Sequence, residues 1–444
     1  MSFFLYIICV IVWVSNKKEK GYMKEFDKVI GYDAIKKELE IICDTMRNTE
    51  KYEKLGVNIP KGVLLYGSPG VGKTLLANCI LKASGRNVFV CRKNGSNEQF
   101  SSKIEEVFKE AQDNAPSIIL FDDMDKFSNN DTFHKNSDVF VSIQSFIDGC
   151  KNGEVFVLAT CNDIRSMPES LLRAGRFDKV IEIQNPTGED AVNIVKHYLC
   201  QKKQVGDIDA EEIAKILDGR TCAELEMVVN EAGIYAGFNN KESIDMDDII
   251  RACMRVIFDA PESMSITDGK VLEATAYHEA GHTVIAEILD PGSVNLVSVR
   301  KTTGDVAGIT SSKLADTYWI NKSLMENRVI CLLGGRAATE IKYGNVDVGT
   351  HSDLRRAFSI VERFVDNYCS YGFDKYMSSP RDASNDLRRV NEIQVSHDME
   401  RFYAQAKKII VDNIEFLHKL AQELILKETL RQKDIKAIRE SCNL

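Results

Sequence analysis

The chain has 444 residues, 44% of them hydrophobic and 28% charged. That length suits two or three domains rather than one, and the composition is that of folded protein, which excludes a largely disordered chain. The net charge of -9 gives no overall attraction to nucleic acid, and no long basic tract supplies a local one, so no nucleic-acid partner is expected.

The first 22 residues stand apart. Phe3 to Val14 is an unbroken apolar run, and Lys17, Lys18 and Lys20 follow it. As a helix this run extends about 18 Å, against a hydrocarbon core of about 30 Å. It lacks the basic start and the small-residue cleavage site of a secretory signal. Three readings stand: the end of a truncated transmembrane helix, a shallow membrane anchor, or a start placed ahead of Met23. The basic flank puts the remainder on the cytoplasmic side of a membrane, or in the cytoplasm if the run is no anchor. Twelve cysteines without a CxxC pair read as reduced thiols, so a metal site must draw mainly on histidines and carboxylates.

Residues 23–187 alternate short apolar runs with helical stretches. The runs are Gly62 to Tyr66, Val88 to Cys91, Ser117 to Phe121, Glu154 to Thr160 and Val180 to Ile183. Near-continuous apolar runs suit strands buried on both faces of a parallel sheet, which predicts an α/β domain. Residues 188–260 read as helices, Ala223 to Ala236 among them. Pro261 marks a boundary. Residues 261–444 read as a mostly helical domain, interrupted near Val294 to Thr310 by a hairpin or edge strand.

Two motifs carry chemistry. The first is Gly67-Ser68-Pro69-Gly70-Val71-Gly72-Lys73-Thr74, a GxxxxGK[ST] loop between a predicted strand and a predicted helix. Backbone N–H groups and the helix N-terminus cradle phosphates there. Lys73 meets the β- and γ-phosphates of ATP, and Thr74 holds Mg²⁺. A later buried strand ends in Asp122-Asp123, where a Mg²⁺-binding acid (Asp122) and a water-orienting acid (Asp123) belong; alone, such acids would more often cap a turn. Asn162 ends a further strand and can reach the γ-phosphate. Arg173 and Arg176, three apart, can share a face and reach a neighbouring subunit's nucleotide; alone, two such arginines more often make a solvated face or local ion pairs.

The second motif is His278-Glu279-Ala-Gly-His282, an HExxH in a good helical run. Histidines at i and i+4 face the same way and can share one Zn²⁺. Glu279 lies beside them and can take the proton of a zinc-bound water. The third ligand stays open on the residues alone. His351 and Asp353 are both candidates, and Ser352 or Asp353 could instead cap the helix that follows.

With these motifs in place, the chain resembles the FtsH family of membrane-bound AAA+ zinc proteases from about Phe26 to its C-terminus. The shared stretches are Phe26 to Gly31, Ile59 to Thr74, Leu171 to Asp178, Ala276 to His282 and Leu332 to Ala338. The resemblance implies an AAA+ ATPase core with helical lid, then a zinc metallopeptidase domain. It implies Asp353 as third zinc ligand, because Gly349-Thr-His-Ser-Asp353-Leu fits the family's Gly-x-x-x-Asp-Leu. It places Val29 to Gly31, with Ile30, near the adenine. Asn162 becomes a sensor, and Arg173 and Arg176 become fingers donated across a hexameric ring. Substrate peptide is expected along an edge strand within Val297 to Thr310.

The departures set further expectations. Asp123 stands where the family usually has Glu, which predicts slowed ATP hydrolysis. The pore-loop stretch Gly95 to Ser102 is shortened, lacks the usual glycine, and leaves Phe100 as either the surviving aromatic or a core residue. Phe258-Asp-Ala-Pro261 lacks the hinge glycine, which predicts a stiffer hinge. The expected function is ATP-dependent zinc endopeptidase acting on protein substrates, as a homo-hexamer or a mixed ring with related subunits. The rivals are a non-proteolytic AAA+ remodelling factor and a zinc protease with a weak motor.

Overall fold

A computed structural model of the chain describes residues 21–93, 97–127, 138–151, 153–304, 307–312, 321–345, 348–377 and 384–444. The Phe3–Val14 run and part of the pore-loop stretch, Gly95 and Ser96, lie outside the described residues. No described helix is long and apolar enough to cross a membrane. The chain forms two compact units. One is the chain to Val205 with Asp218–Asn230, and the other is Gly206–Leu217 with Glu231–Leu444. The predicted lid residues 188–260 are therefore divided between the two.

In the first unit, α1 (Asp33–Arg47) precedes β1 (Gly62–Tyr66), α2 (Lys73–Ser84), β2 (Asn87–Cys91), α3 (Asn97–Asp113), β3 (Ser117–Phe121), α4 (Asp138–Gly149), β4 (Val155–Cys161) and β5 (Lys179–Glu182). The five strands form one sheet in the order β2-β3-β4-β1-β5, and every pairing is parallel. β3 and β4, in the middle of the sheet, are buried along their whole length, as continuous apolar runs covered on both faces should be, whereas the edge strands β2 and β5 leave Val88, Val90 and Val180 exposed. α5 (Gly188–Cys200) follows the sheet.

Phe100 lies in the first turns of α3 and is fully buried. Its ring sits edge-on to Phe127 with centroids 4.8 Å apart, inside a cluster that includes Phe108, Phe121 and Phe140. Burying a phenylalanine contributes about 1.5–3 kcal/mol. Phe100 is thus a core residue and not a surface grip.

In the second unit, α6 (Ala210–Ile216) and α8 (Met246–Val256) accompany α9 (Gly269–Leu289), β6 (Val294–Lys301) and β7 (Ala307–Ser312); α7 (Cys222–Phe238) spans both units. Then follow α10 (Lys322–Leu332), α11 (Gly334–Tyr343), α12 (His351–Asp366), α13 (Asn385–Asp412), α14 (Ile414–Lys427), β8 (Thr429–Arg431) and α15 (Gln432–Glu440). α9 is apolar around much of its circumference and runs through the core, as such a helix must. Its Gly281 lies against Gly334 of α11. A Cβ on Gly281 would come within 2.4 Å of the Gly334 carbonyl oxygen, so the two backbones touch.

β6 and β7 form the expected hairpin, but β6 is the middle strand, because β8 pairs with its other side in the order β7-β6-β8. Among the described residues, the two edges of this sheet are β7 and β8, and of the predicted Val297 to Thr310 segment only the later part, in β7, lies at an edge. Asp259, in the predicted hinge, takes φ 51, the backbone conformation in which glycine is at ease. It is tied down there. Its carboxylate accepts from Arg255 Nη1 at 3.1 Å and from the Thr303 hydroxyl, and its carbonyl accepts from Thr303 N at 2.9 Å.

Candidate functional site

The phosphate loop joins β1 to α2, which begins at Lys73 with Gly72 as its N-cap at φ 97. Lys73 is buried. Its Nζ donates to the carbonyls of Gly67 (2.8 Å) and Ser68 (2.9 Å) and to Asn162 Oδ1 (2.8 Å). Burial pulls its ammonium below the ordinary lysine range, and the nearby charges of Asp123 and Asp125 partly offset this. Asp125 orients the Asn162 amide. One of its carboxylate oxygens accepts from Asn162 N at 3.1 Å and the other from Nδ2 at 3.0 Å, which leaves Oδ1 for Lys73.

The two strand-end acids are held differently. Asp122 accepts from the buried Thr160 hydroxyl at 2.9 Å and from Arg92 Nη2 at 3.0 Å. Asp123 takes φ 58. Its N–H donates to Thr160 Oγ1 at 2.9 Å, and its carboxylate pairs with Lys126 at 2.5 Å. Asp125, Thr160 and Arg92 carry no recognisable motif, and the sequence reading assigns them no role.

Ile30 is half-buried, and its neighbour Tyr32 links that segment to the loop. The Tyr32 hydroxyl contacts Cys222 Sγ at 3.3 Å, and Cys222 Sγ lies 3.7 Å from the Val71 carbonyl. Ala223 N donates to the Gly70 carbonyl at 3.0 Å. Ser68, Pro69 and Thr74 are exposed. Arg173 is also exposed, whereas Arg176 forms a two-pronged pair with Asp148 of its own chain, Nε to Oδ1 at 2.9 Å and Nη2 to Oδ2 at 2.8 Å.

The second constellation is built on α9, α11, α12 and β7. His278 and His282 lie one turn apart on α9, with Nε2 atoms 3.1 Å apart. Asp353 lies in the first turn of α12, which begins at His351. Its Oδ2 is 3.4 Å from His278 Nε2 and 3.5 Å from His282 Nε2. The helix thus starts earlier than a cap at Ser352 or Asp353 would have it, and the Asp353 side chain turns inward while His351 is exposed. His282 Nδ1 lies 2.7 Å from the Cys331 carbonyl. A carbonyl only accepts, so Nδ1 carries the proton and Nε2 faces the other two groups.

Two ring nitrogens and a carboxylate oxygen gathered this closely fit a divalent cation, which would bind the neutral rings. The three donor atoms lie within 4.8 Å of one another, and His₂-carboxylate is a zinc donor set with one position left for water. Burial alone would lower His282, but the Asp353 hydrogen bond and the Glu279 charge outweigh it and push the ring up to about 9. Burial likewise opposes ionisation of Asp353, yet its bonds to both histidines hold its carboxyl well below the usual range. Burial pushes the Glu279 carboxyl up, against the pull of the two histidines and a hydrogen bond from Thr310.

Two glycines make room for this site. A Cβ on Gly335 of α11 would lie 2.5–2.7 Å from ring atoms of His278. A Cβ on Gly308 of β7, at φ +83, would lie 2.2 Å from Glu279 Oε1. Beyond the placing of Gly308 and Thr310 in the expected substrate strand, nothing in the sequence marks Gly308, Thr310, Gly335 or the Cys331 carbonyl, because each matters only once distant segments meet.

Comparison with known proteins finds matches over the two stretches that hold these constellations. Residues 63–185 match the ATPase family associated with various cellular activities (AAA), and residues 265–438 match peptidase family M41. A Thermoanaerobacter protein (strain X514) named ATP-dependent zinc metalloprotease FtsH 2 is 31% identical, over 94% of this chain and 83% of its own length. A Leptotrichia buccalis protein named ATP-dependent zinc metalloprotease FtsH is 30% identical over 95% and 58%. An Arabidopsis thaliana protein named ATP-dependent zinc metalloprotease FTSH 5, chloroplastic, is 31% identical over 91% and 62%. The chain thus spans most of the first relative and about three-fifths of the other two.

Proposed function

The chain belongs to the FtsH family of ATP-dependent zinc metalloproteases, and we propose that it hydrolyses peptide bonds at a zinc held by His278, His282 and Asp353, using ATP bound by Gly67 to Thr74 to deliver the polypeptide. The observation that carries the reading is the convergence of those three side chains beside the buried Glu279, under the edge strand β7. Zinc there would bring its bound water to a pKa of about 7 and polarise the scissile carbonyl. Glu279 takes a proton from the attacking water and passes it to the leaving amine. An extended chain would pair with the outer side of β7 by main-chain hydrogen bonds.

In the ATPase unit, Lys73 exchanges its carbonyl partners for the β- and γ-phosphates. Thr74 and Asp122 would hold Mg²⁺, Asn162 would read the γ-phosphate, and Asp123 would orient the water. Arg173, already exposed, serves a neighbouring subunit. Arg176 must first leave Asp148 to do the same. A ring of six copies, or a mixed ring with related subunits, supplies that neighbour. The apolar Phe3–Val14 run and its basic flank support attachment to the cytoplasmic side of a membrane.

The test is degradation of a labelled, loosely folded protein by the purified chain, with ATP, a non-hydrolysable analogue, a zinc chelator and Glu279→Gln. Cleavage that needs both hydrolysis and zinc, and is lost in the variant, supports the coupled protease. Absent cleavage with intact ATPase activity refutes it in favour of a remodelling factor. A second reading, a protease with a weak motor, is favoured by two observations: Phe100 is buried in the core, and Asp123 is paired with Lys126. Zinc-dependent cleavage indifferent to ATP supports that reading.

A further inference from the structure

Glu279 is 4% exposed, and α9 alone does not fix its carboxylate. Two residues of β7 meet it. Gly308 and Thr310 are two apart on the strand and so share a face. Gly308 presents bare backbone, and a Cβ there would lie 2.2 Å from Oε1 and 2.6 Å from Cγ and Cδ of Glu279. Thr310 presents a donor, with Oγ1 donating to Glu279 Oε2 at 2.6 Å. One residue sets how closely the strand approaches the carboxylate. The other sets which way the carboxylate is turned.

We propose that Thr310 is a positioning residue for the proton acceptor. Its hydroxyl holds Oε2, so the carboxylate keeps one rotamer and its remaining lone pairs are available to the attacking water. In the reaction, water gives a proton to Glu279 as its oxygen bonds to the carbonyl carbon. The C–N bond then breaks as the nitrogen receives that proton. Thr310 keeps its own proton throughout and never touches the reacting atoms. Because β7 is also the strand proposed to seat the substrate, one element fixes both the peptide and the base.

This inference rests on the proteolytic reading, and the experiment separates the two. The full-length chain is compared with Thr310→Val, which keeps the shape without the hydroxyl, and Thr310→Ser, which restores the hydroxyl. Four quantities are measured: kcat and KM on a quenched fluorescent peptide, zinc affinity by chelator competition, and the ATPase rate. The expected result for valine is a kcat reduced about tenfold to hundredfold, the effect of losing a hydrogen bond to a charged group. KM, zinc affinity and ATPase rate stay unchanged, and serine restores most of the kcat. A valine variant with wild-type kcat overturns the proposal, as does one that loses zinc, or a serine variant as slow as valine. A wild-type chain that binds zinc yet cleaves nothing more than its Glu279→Gln variant overturns the proteolytic reading, and the positioning role with it.

Discussion

Replacing Gly335 by alanine tests whether a single absent methyl group admits zinc. The new Cβ would lie 2.5 Å from Cε1, 2.6 Å from Nδ1 and 2.7 Å from Nε2 of His278. Carbon contacts settle at about 3.5–4.0 Å, so something must retreat by about 1 Å. Rigid retreat of α11 would open the backbone contact between Gly334 and Gly281, so the smaller response is rotation of the imidazole. Zinc–nitrogen bonds are about 2.0–2.1 Å long, and a ring displaced by half that distance no longer ligates. Disturbing the groups behind a ligand costs about 10- to 100-fold in metal affinity, and displacing the ligand itself should reach the upper end of that range. Alanine's helix preference favours the variant by at most about 1 kcal/mol, so folding is spared while metal is lost. The assay is zinc affinity by competition with a chromophoric chelator, with the ATPase rate of the same preparation as a folding control. A Gly335→Ala chain with wild-type zinc affinity would refute the reasoning.

Gly308→Ala should separate catalysis from metal binding. Its methyl group collides with Glu279 rather than with a ligand, so zinc content stays near wild type while peptide cleavage falls about 100-fold; equal losses of both would contradict this. Asp123→Glu restores a methylene between backbone and carboxylate and should raise the ATPase rate by about tenfold or more; steady-state hydrolysis that stays level or falls argues that Asp123 does not orient the water. Arg92→Gln removes the cation facing Asp122 and should lower the Mg²⁺ needed for half-maximal binding of a fluorescent ATP analogue. The change should be about two- to fivefold, the scale of an exposed ion pair, and it should shrink in high salt. Unchanged Mg²⁺ dependence in low salt means Arg92 does not compete for that carboxylate.

What the sequence discloses follows the range of the interactions involved. Strands such as Ser117–Phe121 and Val155–Cys161 are legible because burial on both faces demands an unbroken apolar run. Lys73 and the His278–His282 pair are legible because a loop or a single helical turn sets their spacing. Asp353 is different: nothing local separates it from His351, and only the start of α12 at His351 turns one inward and the other outward. β8 has three residues and is held by its pairing with β6, so it leaves no pattern of its own. Thr160, Asp125 and Thr310 escape for the same reason, since each earns its place through a partner far along the chain.

Asp259 shows how an absence in sequence can mislead about mechanics. A missing glycine between Phe258 and Pro261 predicts stiffness, on the premise that only glycine moves freely there. Yet Asp259 already occupies the left-handed region at φ 51, a conformation costing an ordinary residue about 1–2 kcal/mol and aspartate less. Lack of access to the conformation is therefore not what would restrain this segment. The restraint comes from its bonds to Arg255 and to both the backbone and the hydroxyl of Thr303. The Arg255 pair is exposed and contributes only a few tenths of a kcal/mol. The Thr303 contacts fasten the end of α8 to the chain just after β6, on the hairpin whose second strand carries Gly308 and Thr310. Any stiffness here belongs to that attachment, and movement of Asp259 would pull on the connection between β6 and β7.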